Sequence, residues 1–438
     1  MTRPTITITP ERPALLEGYG TELKLLIQVK APERPQDHQR PPMNLALVID
    51  RSGSMKGSPL EEAKRCAQFV HEQLSHQDQI SLITYNDRVE VLAAAEPAQP
   101  NQGFAQALAS IEATGATNLF KGWRYGAEQL ERDRRDFMLN RVFLLSDGCL
   151  NRGLRDREEI AAYVTRLSRA GITTSTYGLS EHFDELVMRL MAERGGGQFR
   201  YGERVEDLFE AFVEELDLLN ELYASQLLLK LHPAEGVKLS CHNHFLEHEG
   251  ALVLPDLAYG AELWAGLTLS VSPEAAQRGT PLLHLELSHP ELKLHEEARF
   301  DALPLVPPAA YGVITADEAV ALYFAELLVS SLKEQAARAS RVGDWPRVEA
   351  LLKEMRALPL NARQREEIEV IAELALRRQG QLFAKETMSS SSKARRSMKL
   401  NALHYTQAHP AQELPSYMRH KARWGRALGG SGPQDSKP

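Results

Sequence analysis

A chain of 438 residues is long enough for two or three domains of about 100–200 residues each. One quarter of it is charged, and a formal net charge of −8 gives no general reason to expect a nucleic-acid partner. No apolar run approaches the ~20 residues of a membrane-spanning helix, and the three widely spaced cysteines Cys66, Cys149 and Cys241 support neither a disulfide framework nor a Cys-x-x-Cys zinc pattern.

The opening stretch Met1-Thr-Arg-Pro-Thr-Ile-Thr-Ile-Thr9 alternates like a strand rather than reading as a signal peptide, so the expected location is the cytoplasm. A second strand is expected over 21–29. From residue 43 the texture changes. Met43-Asn-Leu-Ala-Leu-Val-Ile49 is short, continuous and apolar, as a strand buried on both faces of a parallel sheet would be, and it runs into Asp50-Arg-Ser-Gly-Ser54. The spacing then predicts a helix at 59–74, strands at 78–85 and 89–95, and a helix at 101–111. The loop Thr114-Gly-Ala-Thr117-Asn118 leads into a helix at 120–130, and a second buried run at 140–146 ends in Asp147-Gly148. A helix at 156–169, a strand at 172–179, a helix at 183–194, a break at Gly195-Gly-Gly197, a short strand at 198–201 and a helix at 206–220 complete the series. Such alternation is the signature of a doubly wound α/β sheet.

In open α/β sheets, ligand sites gather beyond the carboxyl ends of the strands. Asp50, Ser52 and Ser54 alternate, so an extended loop turns them the same way. With Thr117 and Asp147 they supply five oxygen donors and neither sulfur nor imidazole, which selects a hard cation, Mg²⁺ or Mn²⁺. Other readings of these residues fare worse. An EF-hand loop finds its twelfth-position glutamate in Glu61 but has Met55 where glycine is required. A nucleophilic serine wants Gly-x-Ser-x-Gly, and Arg51-Ser-Gly-Ser54 lacks the first glycine. Simple helix capping leaves Thr117 and Asp147 without a role.

Asp-x-Ser-x-Ser at 50–54, Gly-x-Thr-Asn at 115–118 and Ser-Asp-Gly at 146–148 resemble the metal-ion-dependent adhesion site of von Willebrand factor A (VWA) domains, and all five positions match. The resemblance implies that Ser52, Ser54 and Thr117 bind the ion through hydroxyls while Asp50 and Asp147 act mostly through bound water. The last position of the metal is then left for an Asp or Glu of a partner protein, with Met55, Lys56, Asn118, Phe120, Cys149 and Leu150 as surrounding surface. On this reading the chain is a non-enzymatic, metal-dependent binding module. The rival is a metal-dependent hydrolase of phosphate esters, which needs a general base or a second metal; near these loops the sequence offers no His-x-Asp or clustered carboxylates beyond Asp50 and Asp147, and Asp87 and Glu181-His182, on loops that could approach, are poor candidates. Bacterial proteins of this kind often resemble components that work beside MoxR-type AAA+ ATPases or in stress and defence clusters, which suggests a class of partner.

After residue 220, strands are expected at 225–232, 237–243, 251–257, 262–272 and 281–288 without intervening helices, the pattern of an antiparallel sandwich. Two amino-terminal strands are too few to fold alone. Residues 1–35 and 222–305 are therefore expected to form one β-sandwich, with the α/β domain at 40–220 inserted in it. This order resembles bacterial proteins similar to the calcium-activated chloride channel and inter-alpha-trypsin inhibitor heavy chain groups. Cys241-His-Asn-His244 and His248 are zinc-type ligands close in sequence, but on a strand Cys241 faces away from His242 and His244, so surface histidines are expected. The pattern turns helical over 315–385. Thr315 and Asp317 can cap a helix with Val320, Tyr323, Phe324, Leu327 and Leu328 as its apolar face, and Val342-Gly-Asp-Trp-Pro346 breaks it before helices at 346–358 and 362–379. The last fifty residues, 389–438, open with Ser389-Ser-Ser-Ser392 and carry nine Lys or Arg against Glu413 and Asp435, the composition of a basic, flexible tail.

Overall fold

The computed structural model describes residues 3–399, except 100–101, 133–137, 148–151, 180–183, 203–204, 290–291, 379, 381–382, 386, 389–390 and 392–397. Nearly all of the expected basic tail, and Cys149, Leu150, Glu181 and His182, lie outside the described residues.

Six strands form a sheet in the order Val89–Pro97, Gln79–Tyr85, Met43–Asp50, Leu139–Ser146, Ile172–Leu179, Gly196–Gly202. All neighbours are parallel except the edge pair, where Val89–Pro97 runs antiparallel to Gln79–Tyr85. Every residue of Met43–Asp50 is buried, because helices cover both faces. Leu45, Leu47 and Ile49 point to one side, against Val70, Phe104 and Phe212 of the helices Ser58–Gln73, Gln102–Ala109 and Val205–Asn220. Ala46 and Val48 point to the other, against Trp123, Val164 and Met188 of Leu119–Arg132, Arg157–Arg169 and Glu185–Arg194. Two of these helices are started by side-chain caps: Asp156 accepts from the Glu159 amide at 2.8 Å and Asp184 from that of Val187 at 3.2 Å.

Segments on either side of this domain share a sheet. Thr21–Lys30 pairs residue for residue with Glu262–Val271, from Thr21 opposite Val271 to Lys30 opposite Glu262. Thr5–Pro10 extends the sheet at one end and Val237–Cys241 at the other, and Met398–Lys399 pairs with the start of Glu262–Val271. A second antiparallel sheet has the order Leu246–His248, Ala251–Val253, Leu228–Pro233, Leu283–His289, Leu294–Phe300. One apolar cluster lies between the two, with Leu25, Ile27, Leu267, Leu269, Leu285 and Leu287 fully buried; each contributes about 1.5–3 kcal/mol relative to exposure. The edge strand Leu294–Phe300 goes beyond the expected series, which stopped at 288. Its Leu-His-Glu-Glu-Ala-Arg-Phe sequence puts charge on alternate positions and also at Glu296, which obscures the two-residue period.

The long helix Glu318–Arg341 is capped by Asp317, which accepts from the Val320 amide at 3.0 Å; Thr315 has no such role. Val320, Tyr323 and Leu327 pack on Leu26 and Trp264 of the first sheet. Leu328, expected on the same face, is 42 % exposed, one position beyond the buried stripe. Further along, Glu334 meets Arg189 at 2.5 Å and Arg341 meets Glu185 at 2.7 Å, tying the helix to the α/β domain. Helices Trp345–Arg356 and Ala362–Leu376 close a separate cluster with it, the second of them started by an Asn361–Gln364 capping box. Ser391, placed by the sequence reading in the flexible tail, is buried, with its Oγ 2.9 Å from Ser330 Oγ. Among the described residues, no helix is long and apolar enough to cross a membrane.

A buried ion cluster fastens the α/β domain to its neighbour. Arg141 donates to Glu215 at 2.6 Å, to Asp256 at 2.5 Å and to Thr173 at 2.8 Å, and Glu215 also accepts from Tyr177 at 2.6 Å and from Ser175. Asp256 belongs to the loop before Leu257–Ala258, whose partner strand is Leu222–Ala224. An arginine in the third position of an apolar strand gave no hint in the sequence that its partners lie 74 and 115 residues downstream.

Candidate metal centre

The five residues singled out by sequence come from three neighbouring loops at the carboxyl edge of the six-stranded sheet. Asp50 is the last residue of its strand, and Asp147 directly follows Leu139–Ser146, the parallel neighbour. Between Asp50 and the next helix the chain is not extended as expected: Gly53–Met55 forms one 3₁₀ turn. That turn brings Ser54 Oγ to 3.0 Å from Ser52 Oγ, and Ser54 Oγ donates to Asp147 Oδ1 at 2.9 Å. The turn also drives Met55 fully into the core on one face of the sheet, and Phe120 packs into the core on the other face, so neither is binding surface. Lys56 is exposed and Asn118 half-buried.

The third loop is held in register by backbone hydrogen bonds. Gly53 N–H donates to Gly115 O at 3.0 Å, Thr114 N–H to Arg51 O at 2.7 Å, Asn118 N–H to Asn86 O at 3.0 Å and Arg152 N–H to Thr117 O at 3.1 Å. Asn86 braces the same loop through a 2.7 Å bond from its Nδ2 to Thr114 O. Gly115 is required there: its φ is +81°, and a Cβ would come within 2.4 Å of Asp87 Oδ1. Asp87 itself is exposed beside this loop.

Asp50, Ser52, Thr117 and Asp147 are buried, and Ser54 is exposed at the mouth. Asp50 accepts from the Ser52 amide at 2.8 Å and from Ser146 Oγ at 2.7 Å. Burial raises its carboxyl to about 6, against the lowering by those hydrogen bonds and with a further push from Asp147. A divalent cation beside the two carboxyls would reverse both upward pressures. Thr117 Oγ1 is buried and has no hydrogen-bond partner within the protein. Buried hydroxyls are rarely left so, because the uncompensated loss of water costs about 1–3 kcal/mol. The donor set is hydroxyl and carboxylate oxygen throughout, which fits a hard cation.

Two supporting residues were not singled out by sequence. Ser146 entered only as part of Ser-Asp-Gly, yet it fixes Asp50. Tyr85, whose side chain is fully buried beside Asp50, is pressed into place by the helix Leu119–Arg132: a Cβ on Gly122 would come within 2.4 Å of the Tyr85 ring.

The doubly wound sheet with helices on both faces defines an α/β domain, with an all-oxygen cluster at the carboxyl edge of its strands. Residues 44–215 match the family model of the von Willebrand factor type A domain, and this part of the chain is such a domain. Domains of this family are generally interaction modules rather than enzymes, often metal-dependent. Protein sll0103 of Synechocystis sp. is 28% identical over 215 residues, covering 48% of this chain and 50% of that protein. Inter-alpha-trypsin inhibitor heavy chain H3 of Homo sapiens is 28% identical over 196 residues, covering 42% of this chain and 22% of that one. The match thus spans half or less of these relatives. Among solved structures, a von Willebrand factor type A protein from Catenulispora acidiphila aligns over 89% of this chain and 97% of its own, with a TM-score of 0.69 at 14% identity. The ArnB paralog VWA2 from Sulfolobus acidocaldarius aligns over 90% and 99%, with a TM-score of 0.59 at 15% identity. Both likenesses are of fold, and both extend well beyond the VWA domain.

Proposed function

We propose that Asp50, Ser52, Ser54, Thr117 and Asp147 hold one Mg²⁺ or Mn²⁺ ion, and that the protein uses it to capture an Asp or Glu side chain of a partner protein. The observation that carries this reading is Thr117 Oγ1, a buried oxygen with no protein partner, in a loop braced beside the Ser52–Ser54–Asp147 hydrogen-bond chain. An ion held largely by neutral hydroxyls keeps most of its charge, so when bound it supplies an electrophilic position for an outside carboxylate. The residues of this chain do the rest: Ser146 and the Ser52 amide hold Asp50, Asn86 and Gly115 hold the Thr117 loop, and Lys56 and Asn118 border the mouth. The partner is of the kind suggested by sequence, a protein surface such as a component beside an AAA+ ATPase. We also read the two antiparallel sheets as one β-sandwich, residues 1–35 and 222–305, in which the VWA domain at 40–220 is inserted, followed by a helical region at 315–385. Strand pairing across the insertion supports this reading.

The test is affinity capture from the native cell by the full chain in Mg²⁺, in chelator, and with Asp50→Ala plus Asp147→Ala. Partners retained only by the unsubstituted chain in Mg²⁺ support the reading. Equal retention in chelator and by the variant rejects it.

A further inference from the structure

The second antiparallel sheet turns one face to the apolar core and the other to solvent, and the solvent face carries a patch of imidazoles and carboxylates. Along Leu283–His289 the buried positions are Leu283, Leu285, Leu287 and His289, so His284, Glu286 and Ser288 point outward. Pairing places His232 directly opposite His284 on one side, and Glu297 directly opposite Glu286 on the other. Three strands thus bring together His232, His284, Glu286, His295 and Glu297 over a span of 66 positions in the sequence.

The geometry within the patch is that of a ligand set. His232 Nε2 lies 3.3 Å from Glu286 Oε1, although the register partner of Glu286 on that strand is Lys230. The His232 and His284 rings stack with centroids 5.8 Å apart. One ligand atom from each of His232, His284 and Glu286 lies within 4.8 Å of the other two, and among the described residues no other group of three His, Cys, Asp or Glu does so. Ligand atoms around a tetrahedral Zn²⁺ sit about 3.3 Å apart, given Zn–N and Zn–O bonds of about 2.0–2.1 Å. The exposed ends of these side chains need close by only about 1.5 Å to reach it. Behind them, Glu297 accepts from His284 at 3.2 Å and from His295 at 3.2 Å. A carboxylate on a histidine ring is the device that orients a ligating imidazole.

We propose that His232, His284 and Glu286 form a metal site on the sheet's outer face, separate from the loop site of the VWA domain, for a borderline divalent transition-metal ion such as Zn²⁺. Glu297, with His295, orients His284 from behind. Imidazole ligands favour Zn²⁺, Ni²⁺ or Cu²⁺ over Mg²⁺, whereas the oxygen-only loop site favours Mg²⁺, so the two sites choose different ions. Three protein ligands also leave a coordination position open. The zinc-type residues flagged by sequence, by contrast, do not converge: the Cys241 thiol packs toward the core and donates to Asn243 O, and His242 Nε2 bonds Thr268 Oγ1 at 2.8 Å.

The test is calorimetric titration of the full chain with Zn²⁺ in excess Mg²⁺, together with the visible absorption of Co²⁺ as a report on ligand geometry. The site predicts one Zn²⁺ equivalent that His232→Asn plus His284→Asn abolishes, that Glu297→Gln weakens about 10–100-fold, and that Asp147→Ala leaves unchanged. Because the substituted side chains are surface groups, circular dichroism and the melting temperature of the double variant should match those of the unsubstituted chain. Undiminished Zn²⁺ binding by the double variant, no Zn²⁺ uptake in excess Mg²⁺, or loss of uptake with Asp147→Ala alone would overturn the proposal. Failure on any of these counts leaves the loop site untouched, since its own test is run in Mg²⁺ or chelator without zinc.

Discussion

Thr117→Val separates the two things that the buried hydroxyl can be doing. The substitution keeps the shape of the side chain and removes one oxygen, which has no hydrogen-bond partner within the protein. In chelator, the variant therefore loses no protein hydrogen bond and no longer buries an unpaired hydroxyl. The cost of such a group is about 1–3 kcal/mol, so the variant should be more stable by about 1 kcal/mol after allowance for relaxation. For a unit of this size that corresponds to a rise of about 2–4 °C in Tm. In Mg²⁺ the sign reverses. An ion at a hundred times its Kd stabilises the unsubstituted chain by about 2.7 kcal/mol. Loss of one ligand that raises Kd tenfold removes about half of that. Melting curves of both proteins in chelator and across a Mg²⁺ series give all four numbers. A variant destabilised in chelator by more than about 1 kcal/mol would show that the hydroxyl is satisfied within the protein, and an unaltered Mg²⁺ response would show that it is not a ligand.

Arg141→Ala leaves Glu215 and Asp256 buried without their counter-charge and should cost about 3–5 kcal/mol, read from urea unfolding. Gly122→Ala gains up to ~1 kcal/mol of helix propensity, but its Cβ meets the Tyr85 ring at 2.4 Å; the clash, about 1–3 kcal/mol, should win and lower both stability and Mg²⁺ affinity. Asp78 supplies a pH dependence. Burial alone would raise its carboxyl, but the Arg40 guanidinium at 2.6 and 2.5 Å, the amides of Met43 and Ser75 and the Ser75 hydroxyl overcome this and hold it below its ordinary value. Its folded-state pKa being depressed, its contribution is complete at neutral pH, starts to fall as pH drops through the unfolded value of about 3.9, and is gone below the folded value. Asp78→Asn should lower the urea midpoint at neutral pH and flatten its decline in acid; an unchanged acid limb would contradict the assignment.

The centre of the fold was legible because its constraints are local. A strand buried on both faces must be continuously apolar, and oxygen side chains at its end declare themselves, so the α/β alternation and the cluster from Asp50 to Asp147 could be read from short motifs. Failures arose where position depends on distant chain. Met55 and Phe120 stand close in sequence to the site residues and read as surface, yet a 3₁₀ turn and a helix start bury them. Ser391 reads as part of a polar serine run, and only the long helix reveals that it is packed against Ser330. The histidine patch was invisible for the same reason: its members are ordinary polar residues on the outer positions of three strands, and only the register of those strands brings them together.

A crystal structure of the full chain grown with Mn²⁺, with data collected for anomalous scattering, tests the central claim most directly. The account predicts one Mn²⁺ peak within about 2.3 Å of the hydroxyl oxygens of Ser52, Ser54 and Thr117, with Asp50 and Asp147 in its surround. No peak at that position at saturating Mn²⁺, whatever binds elsewhere on the molecule, would contradict it.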